Sequence, residues 1–213
     1  MELKVAVTSI AIVCDGTSDL CIQHLIQWIV DTNFPDQAFR INPAREVIPA
    51  HGPLHLRLKR AFENYEPDVI VCHRDAERVS LQERTDEVKA ASAASGIPIP
   101  VVPAIPVRMI ESWLLTEEAA IRSAANNRNG NINLNLPPRQ SIENLANPKD
   151  VLFQALRIAS DLPPQRLKKF NEHSARSRIT GFLDDFSGVR QLRSFLQFED
   201  RLKEAILGSL LTN

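Results

Sequence analysis

Cysteine is scarce in this chain, and long apolar runs are missing altogether. Its three cysteines, Cys14, Cys21 and Cys72, are odd in number and lie in apolar segments, which fits reduced structural thiols better than a secreted disulfide framework. No second Cys or His pair stands at ligand spacing from Cys72 and His73, so a zinc site is excluded too. No apolar stretch approaches the roughly 18 to 20 residues of a membrane span, and no charged-then-apolar leader precedes the first strand; a cytoplasmic location is expected. The glycine spacing of a P-loop or a dinucleotide fingerprint is absent from DGTSD at residues 15–19, which argues against nucleoside-triphosphate hydrolysis and nicotinamide chemistry. With a net charge of −1, the chain as a whole does not advertise a polyanion partner. No internal repeat or low-complexity linker interrupts it.

What remains is an ordinary globular composition, 44% apolar and 24% charged, over 213 residues. That length suits one large domain or a core with an appendage. Charge is uneven along it. Between Arg157 and Arg193 stand Arg157, Arg166, Lys168, Lys169, Arg176, Arg178, Arg190 and Arg193 against only Asp161, Glu172, Asp184 and Asp185. Such a run reads either as a solvated helical face or as a surface that follows a phosphate backbone.

Periodicity predicts alternating strands and helices. KVAVTSIAIVC, residues 4–14, is β-branched and continuously apolar, as in a strand covered on both faces. Leu25, Ile26, Ile29 and Val30 then fall at helical spacing, with Thr17 or Ser18 placed to cap the start. A short strand broken by Pro43 is expected near residues 39–48. A helix from Pro53 carries Leu54, Leu58, Ala61, Phe62 and Tyr65, and a central strand, Val69 to Cys72, ends at His73. Leu81, Thr85, Val88 and Ser92 mark the next helix, which stops at Gly96. The prolines of IPIPVVPAIP place its strand at a sheet edge. These lengths predict an α/β layered core with a parallel sheet over residues 1–125. A helical extension is expected over 126–213, with Thr116 capping a helix through Ala125, Asn147-Pro148 opening another, and a last helix from about Val189 burying Leu192, Phe195, Leu196, Leu202 and Ile206.

Groups just past the carboxyl ends of parallel strands project into one crevice. Asp15 follows the first strand. Asp75 and Glu77 follow the central strand with a spacing that puts both on one side of an extended segment. Glu111 follows the proline-rich strand. Four carboxylates so gathered would repel one another or hold a hard cation, magnesium or manganese, and phosphodiester chemistry is then open to the site.

The acid-glycine of CDGTSD, the acid-x-acid of DAE and the E-S-W-L-L of PVRMIESWLLTEEAAI together resemble the Toprim domain. With the later ENLANPKDVLFQAL, they look like an uncharacterised bacterial Toprim-related family akin to the OLD-type (overcoming lysogenization defect) nucleases. The resemblance implies a Rossmann-like fold that binds Mg²⁺ and cleaves or nicks nucleic acid, with relatives in anti-phage defence beside an ATPase. By position it implies that Asp15 is a proton shuttle or metal ligand. Asp75 and Glu77 stand at the family's two metal-binding aspartates, Asp75 counting as catalytic too, while Glu111 and Trp113 form its E-x-W and Glu117 matches the acid after W-L-L-x. Two positions depart from the pattern: Asp15 is one methylene shorter than the family's glutamate, and Glu77 one longer than its aspartate.

Each residue also has a plainer reading. Asp15 could cap the following helix, and Asp19 reads as a first-turn acid rather than a ligand. His73 and Arg74 could position a phosphate or merely neutralise neighbouring carboxylates. Trp113 could be a core anchor or a stacking platform, and Arg108 a phosphate contact or surface charge. Gly16 would allow a tight turn and backbone approach to an anion. Three functions follow as expectations: a Mg²⁺-dependent nuclease acting on DNA rather than RNA; a catalytically impaired relative serving as a binding or scaffold subunit; and a metal-dependent phosphohydrolase of a small molecule.

Overall fold

The computed structural model describes residues 7–183 and 185–212. The chain runs through β1 (Val7–Val13), a 3-10 turn at Thr17–Cys21, α1 (Ile22–Asn33), β2 (Ala38–Pro43), α2 (Leu54–Tyr65), β3 (Val69–His73), α3 (Leu81–Ser95) and β4 (Val101–Ala104). The helical part follows: α4 (Glu111–Leu114), α5 (Glu118–Ala124), α6 (Pro148–Ser160), α7 (Pro164–Leu167), α8 (Glu172–Arg178) and α9 (Arg193–Thr212). The four strands form one parallel sheet in the order β2-β1-β3-β4, a Rossmann-like α/β arrangement. β1 and β3 are central. The proline-bearing β2 and β4 lie at the edges, where a missing backbone donor costs least.

Alternation along the central strands sorts the molecule into layers. Ile10, Ile12, Val69 and Val71 face α1 and the helical half, whereas Ala11, Val13, Ile70 and Cys72 face α2 and α3. The helical half has no core of its own. Leu152, Leu156, Ala175, Phe195, Phe198 and Leu202 join one buried cluster with Ile22, Ile26 and the sheet. Trp113 anchors it: its indole N–H donates to Ser194 Oγ at 2.9 Å, and its ring meets Phe195 edge-on at 5.3 Å and stacks on Phe198 at 5.8 Å. Each such side chain contributes on the order of 2–3 kcal/mol by burial. Trp113 is therefore a core anchor, with no face left for a base.

Several local expectations need correction. Residues 4–6 of the expected first strand lie outside the described residues. Neither Thr17 nor Ser18 caps α1, which is entered through the 3-10 turn. Thr116 donates its hydroxyl to Trp113 O instead of capping α5, whose first flanking residue is Glu117. The last helix begins at Arg193, after a 3-10 turn at Ser187–Gln191, and Leu196 is exposed. Other punctuation is where the sequence puts it. Gly96 ends α3 at φ +66, and Asn147 accepts from the Asp150 amide at the start of α6. Among the described residues no helix is long and apolar enough to cross a membrane.

Candidate functional site

Two strand-end carboxylates define the two corners of the crevice. At the first, Asp15 sits two residues beyond β1 and meets two guanidinium groups. Arg57 Nη1 donates to Asp15 Oδ1 at 2.7 Å, and Arg74 Nε lies 2.8 Å from Oδ2. Arg57 comes from the inward face of α2, is only 4% exposed, and also donates to the carbonyls of Cys14 and Val47. A guanidinium buried this deeply requires its carboxylate, because leaving it unpaired costs several kcal/mol. Arg74 is shared with Glu87 at 2.6 Å. Its work is neutralisation of carboxylates.

At the second corner, Asp75 sits two residues beyond β3. Its Oδ1 accepts from the Ile110 amide at 3.0 Å and lies 3.6 Å from His73 Nε2, too far for a hydrogen bond. Burial, together with the charges of Asp19 and Glu111, pushes the Asp75 carboxyl from 3.8 up to about 8. His73 is 1% exposed, burial lowers its pKa, and neither ring nitrogen has a hydrogen-bond partner among the described residues.

Beside Asp75, Glu111 at the start of α4 is buried and accepts from Arg176 Nε at 2.9 Å. Arg176 reaches in from α8, donates also to Ser18 O, and stands 3.7 Å from Asp19. One guanidinium therefore serves Glu111 and Asp19, and Asp75, beyond its reach, is the carboxyl whose pKa is raised.

Of the four expected acids, the fold brings Asp75 and Glu111 together. It turns Asp15 toward arginines, and it leaves Glu77 exposed with its nearest cation, Arg84, at 3.8 Å. Glu77 and Arg108 both adopt left-handed backbone, φ 54 and 65, and are joined by Glu77 N–H to Arg108 O at 2.7 Å. That pairing carries the β3–β4 ladder past the strand ends and points the two side chains toward an outer cavity of about 320 Å³. Gly16 is extended, φ −136, and a Cβ there would make ordinary contacts, so the turn does not use glycine's special freedom. Glu117 is bound by Arg139 at 3.0 Å and borders a different cavity. Among the described residues, no three His, Cys, Asp or Glu side chains are grouped to hold a metal ion.

The cavity at the second corner, about 130 Å³, is lined by Ser18, Glu111, Lys149, His173, Arg176 and Ser177. Helices α6 and α8 supply four of those six. Lys149 stands in the first turn of α6 behind the Asn147 cap, with its ammonium over the Phe153 ring at 5.6 Å. His173 meets the same ring edge-on at 4.9 Å. Asp19, Lys149, His173 and Arg176 are members of this site that the sequence reading did not assign to it. Asp19 carried a signal, four residues after Asp15 in the same turn, while nothing local marks Arg176 among its basic neighbours.

The three cysteines are buried and free, and burial holds each thiol up at about 12. They are inert at neutral pH. No family model, curated protein or solved structure matches the chain.

Proposed function

We propose that this chain is a Toprim-like phosphodiesterase, dependent on Mg²⁺ or Mn²⁺, that nicks or cleaves nucleic acid, DNA rather than RNA. In this reading it is a cytoplasmic effector of bacterial anti-phage defence that works with an ATPase partner. The observation that carries the reading is the charge deficit around Asp75. Three carboxylates, Asp19, Asp75 and Glu111, lie around one guanidinium that pairs with only two of them, and burial with the charges of Asp19 and Glu111 raises the Asp75 pKa to about 8. A cation that displaces the proton of that carboxyl satisfies the same deficit.

The donors suit a hard ion in kind: carboxylate oxygens, with no thiolate or free imidazole required. Because Glu111 is committed to Arg176, Asp75 and Asp19 are the two that would hold it. Magnesium ordinarily takes one or two carboxylates and keeps its waters, so this share suffices where a three-ligand cage does not form. Bound there, the ion would supply positive charge to polarise a phosphoryl oxygen.

The chain's own residues do the rest. Lys149 and Arg176 line a cavity of a phosphate's size and present cationic donors to its oxygens. Glu111 fixes the Arg176 fork. His173, on the cavity wall, is placed to exchange a proton between its imidazole and a leaving oxygen.

Supercoiled plasmid incubated with Mg²⁺ or Mn²⁺ tests the reading. Wild type is expected to nick it, Asp75→Asn and Asp19→Asn to lose nicking by at least about 100-fold, and Glu77→Gln to retain it. Folded wild-type protein that leaves plasmid intact with both ions, and that fails to bind Mn²⁺ in a titration, sinks the proposal.

A second reading rests on the Asp15 corner. Asp15, the position that resembles the Toprim proton shuttle, is held by Arg57 and Arg74, which favours a binding or scaffold subunit. Nucleic-acid binding without cleavage would select it, and cleavage confined to free nucleotides would select a small-molecule phosphohydrolase.

A further inference from the structure

Helix α8 stands between two cavities of different character. His173, Arg176 and Ser177, at i, i+3 and i+4, form the stripe bordering the strand-end site. Asn171, Ser174 and Arg178 form another stripe and border an open cleft of about 350 Å³ that takes in Arg166, Lys169 and Phe170. No acid is among its lining residues. At the strand ends Arg57, Arg74 and Arg176 are each matched by a carboxylate, whereas in this cleft Arg166 and Lys169 are exposed and have no ion-pair partner among the described residues. Arg178 donates to Ala124 O at 2.7 Å, a neutral carbonyl that fixes the guanidinium and leaves its charge uncompensated.

Three cations facing one concavity without a counter-charge focus positive potential there, and guanidinium and ammonium groups suit phosphate oxygens. Phe170 is half-buried against the core and forms the apolar wall beside them. At Asn126 the cleft adjoins a larger cavity, about 680 Å³, with Arg128 and the exposed Phe182 on its walls. Of its two acids, Glu117 is paired with Arg139, while Asp185, held by the Ser187 hydroxyl, keeps its charge on a wall that the cleft's three cations do not share. Cations interleaved with aromatic rings along adjoining cavities match a strand with alternating phosphates and bases better than a single small anion.

We infer that this cleft binds single-stranded DNA, with Arg166, Lys169 and Arg178 on its phosphates and Phe170 against a base. The inference rests on the proposed function only for the identity of the polymer, since the cleft lies on a different face of α8 from the strand-end site.

The test is binding of a fluorescein-labelled thymidine 20-mer by anisotropy, without divalent ions, over a range of salt concentrations. Arg166→Ala with Lys169→Ala is expected to weaken binding at least about tenfold and to flatten the log–log salt dependence by about 1.4, roughly 0.7 for each lost phosphate contact on a single strand. Phe170→Leu, which keeps an apolar side chain against the core, is expected to weaken it about fivefold with the salt slope unchanged. Unchanged affinity and slope in the double variant overturns the inference, as does equally tight binding of a blunt duplex that Phe170→Leu does not weaken. Wild-type nicking alongside unaltered binding in the double variant would sink this inference alone. Binding that depends on the cleft, without cleavage under any metal, would sink only the phosphodiesterase reading.

Discussion

Asp15 and Asp75 occupy equivalent places, each two residues past the end of a neighbouring strand in one parallel sheet, yet their surroundings are opposite. Asp15 receives two guanidinium groups. Asp75 receives one backbone amide and faces two further carboxylates. The difference lies in which helix delivers an arginine. α2 carries Arg57 inward beneath β1, while α8 carries Arg176 to Glu111 and stops short of Asp75. A strand end thus provides a place for an acid, and the packed helices decide whether that acid is a locked ion-pair partner or a group still open to a proton or a cation.

The largest effect expected to break this comparison is at Arg176. Replacing it with Met leaves Glu111 buried without its guanidinium, and the loss should be about 3–5 kcal/mol in urea denaturation at pH 7. A loss below about 1 kcal/mol would mean that Glu111 does not depend on α8.

Next come paired isosteres with opposite signs. Asp75→Asn should stabilise the metal-free protein and Asp15→Asn destabilise it. The sign at Asp75 follows from linkage. Its folded pKa of about 8 lies above the unfolded value, so between the two the folded chain holds a proton that the unfolded chain has lost, and stability falls as pH rises through that window. The advantage of Asn should therefore shrink toward pH 4, where the unfolded carboxyl is itself about half protonated, and grow to on the order of 1–3 kcal/mol by pH 8. Asp15→Asn leaves buried Arg57 short of its carboxylate and should cost about 1–3 kcal/mol. Thermal denaturation at pH 4, 6 and 8 checks both, and like signs at pH 8 would refute the contrast.

The smallest effect should be at Glu77. Its side chain is 71% exposed and lies 3.8 Å from Arg84, so Glu77→Gln should change stability by less than about 0.5 kcal/mol. A larger change would place Glu77 in the electrostatics of the crevice.

Much of the fold was legible because it rests on short-range signals. The β3 strand from Val69 to His73, the Gly96 stop and the Asn147-Pro148 start each depend on a few adjacent residues. The Thr116 cap failed because a hydroxyl can serve its own preceding turn, Trp113 O, as readily as the next one. The motif reading named Asp75 and Glu111, which the fold brings side by side. It grouped Asp15 and Glu77 with them because strand-end placement says nothing about side-chain partners. Of the basic run from Arg157 to Arg193, some members turned out to be internal counter-ions, Arg157 to Glu172 and Arg190 to Glu199. Asp184, counted among its acids, lies outside the described residues.

The sequence alone determined the order of strands and helices, the edge position of the proline-rich β4 and the delivery of acids to strand ends, because alternation, caps and missing donors act over a few residues. Only the tertiary structure decided which acid meets which arginine. Arg57 lies 42 residues from Asp15, and Arg176 lies 65 from Glu111. Charges so far apart in the chain acquire their partners when the helices pack, and the burial that fixes those pairs is the same burial that raises the Asp75 pKa.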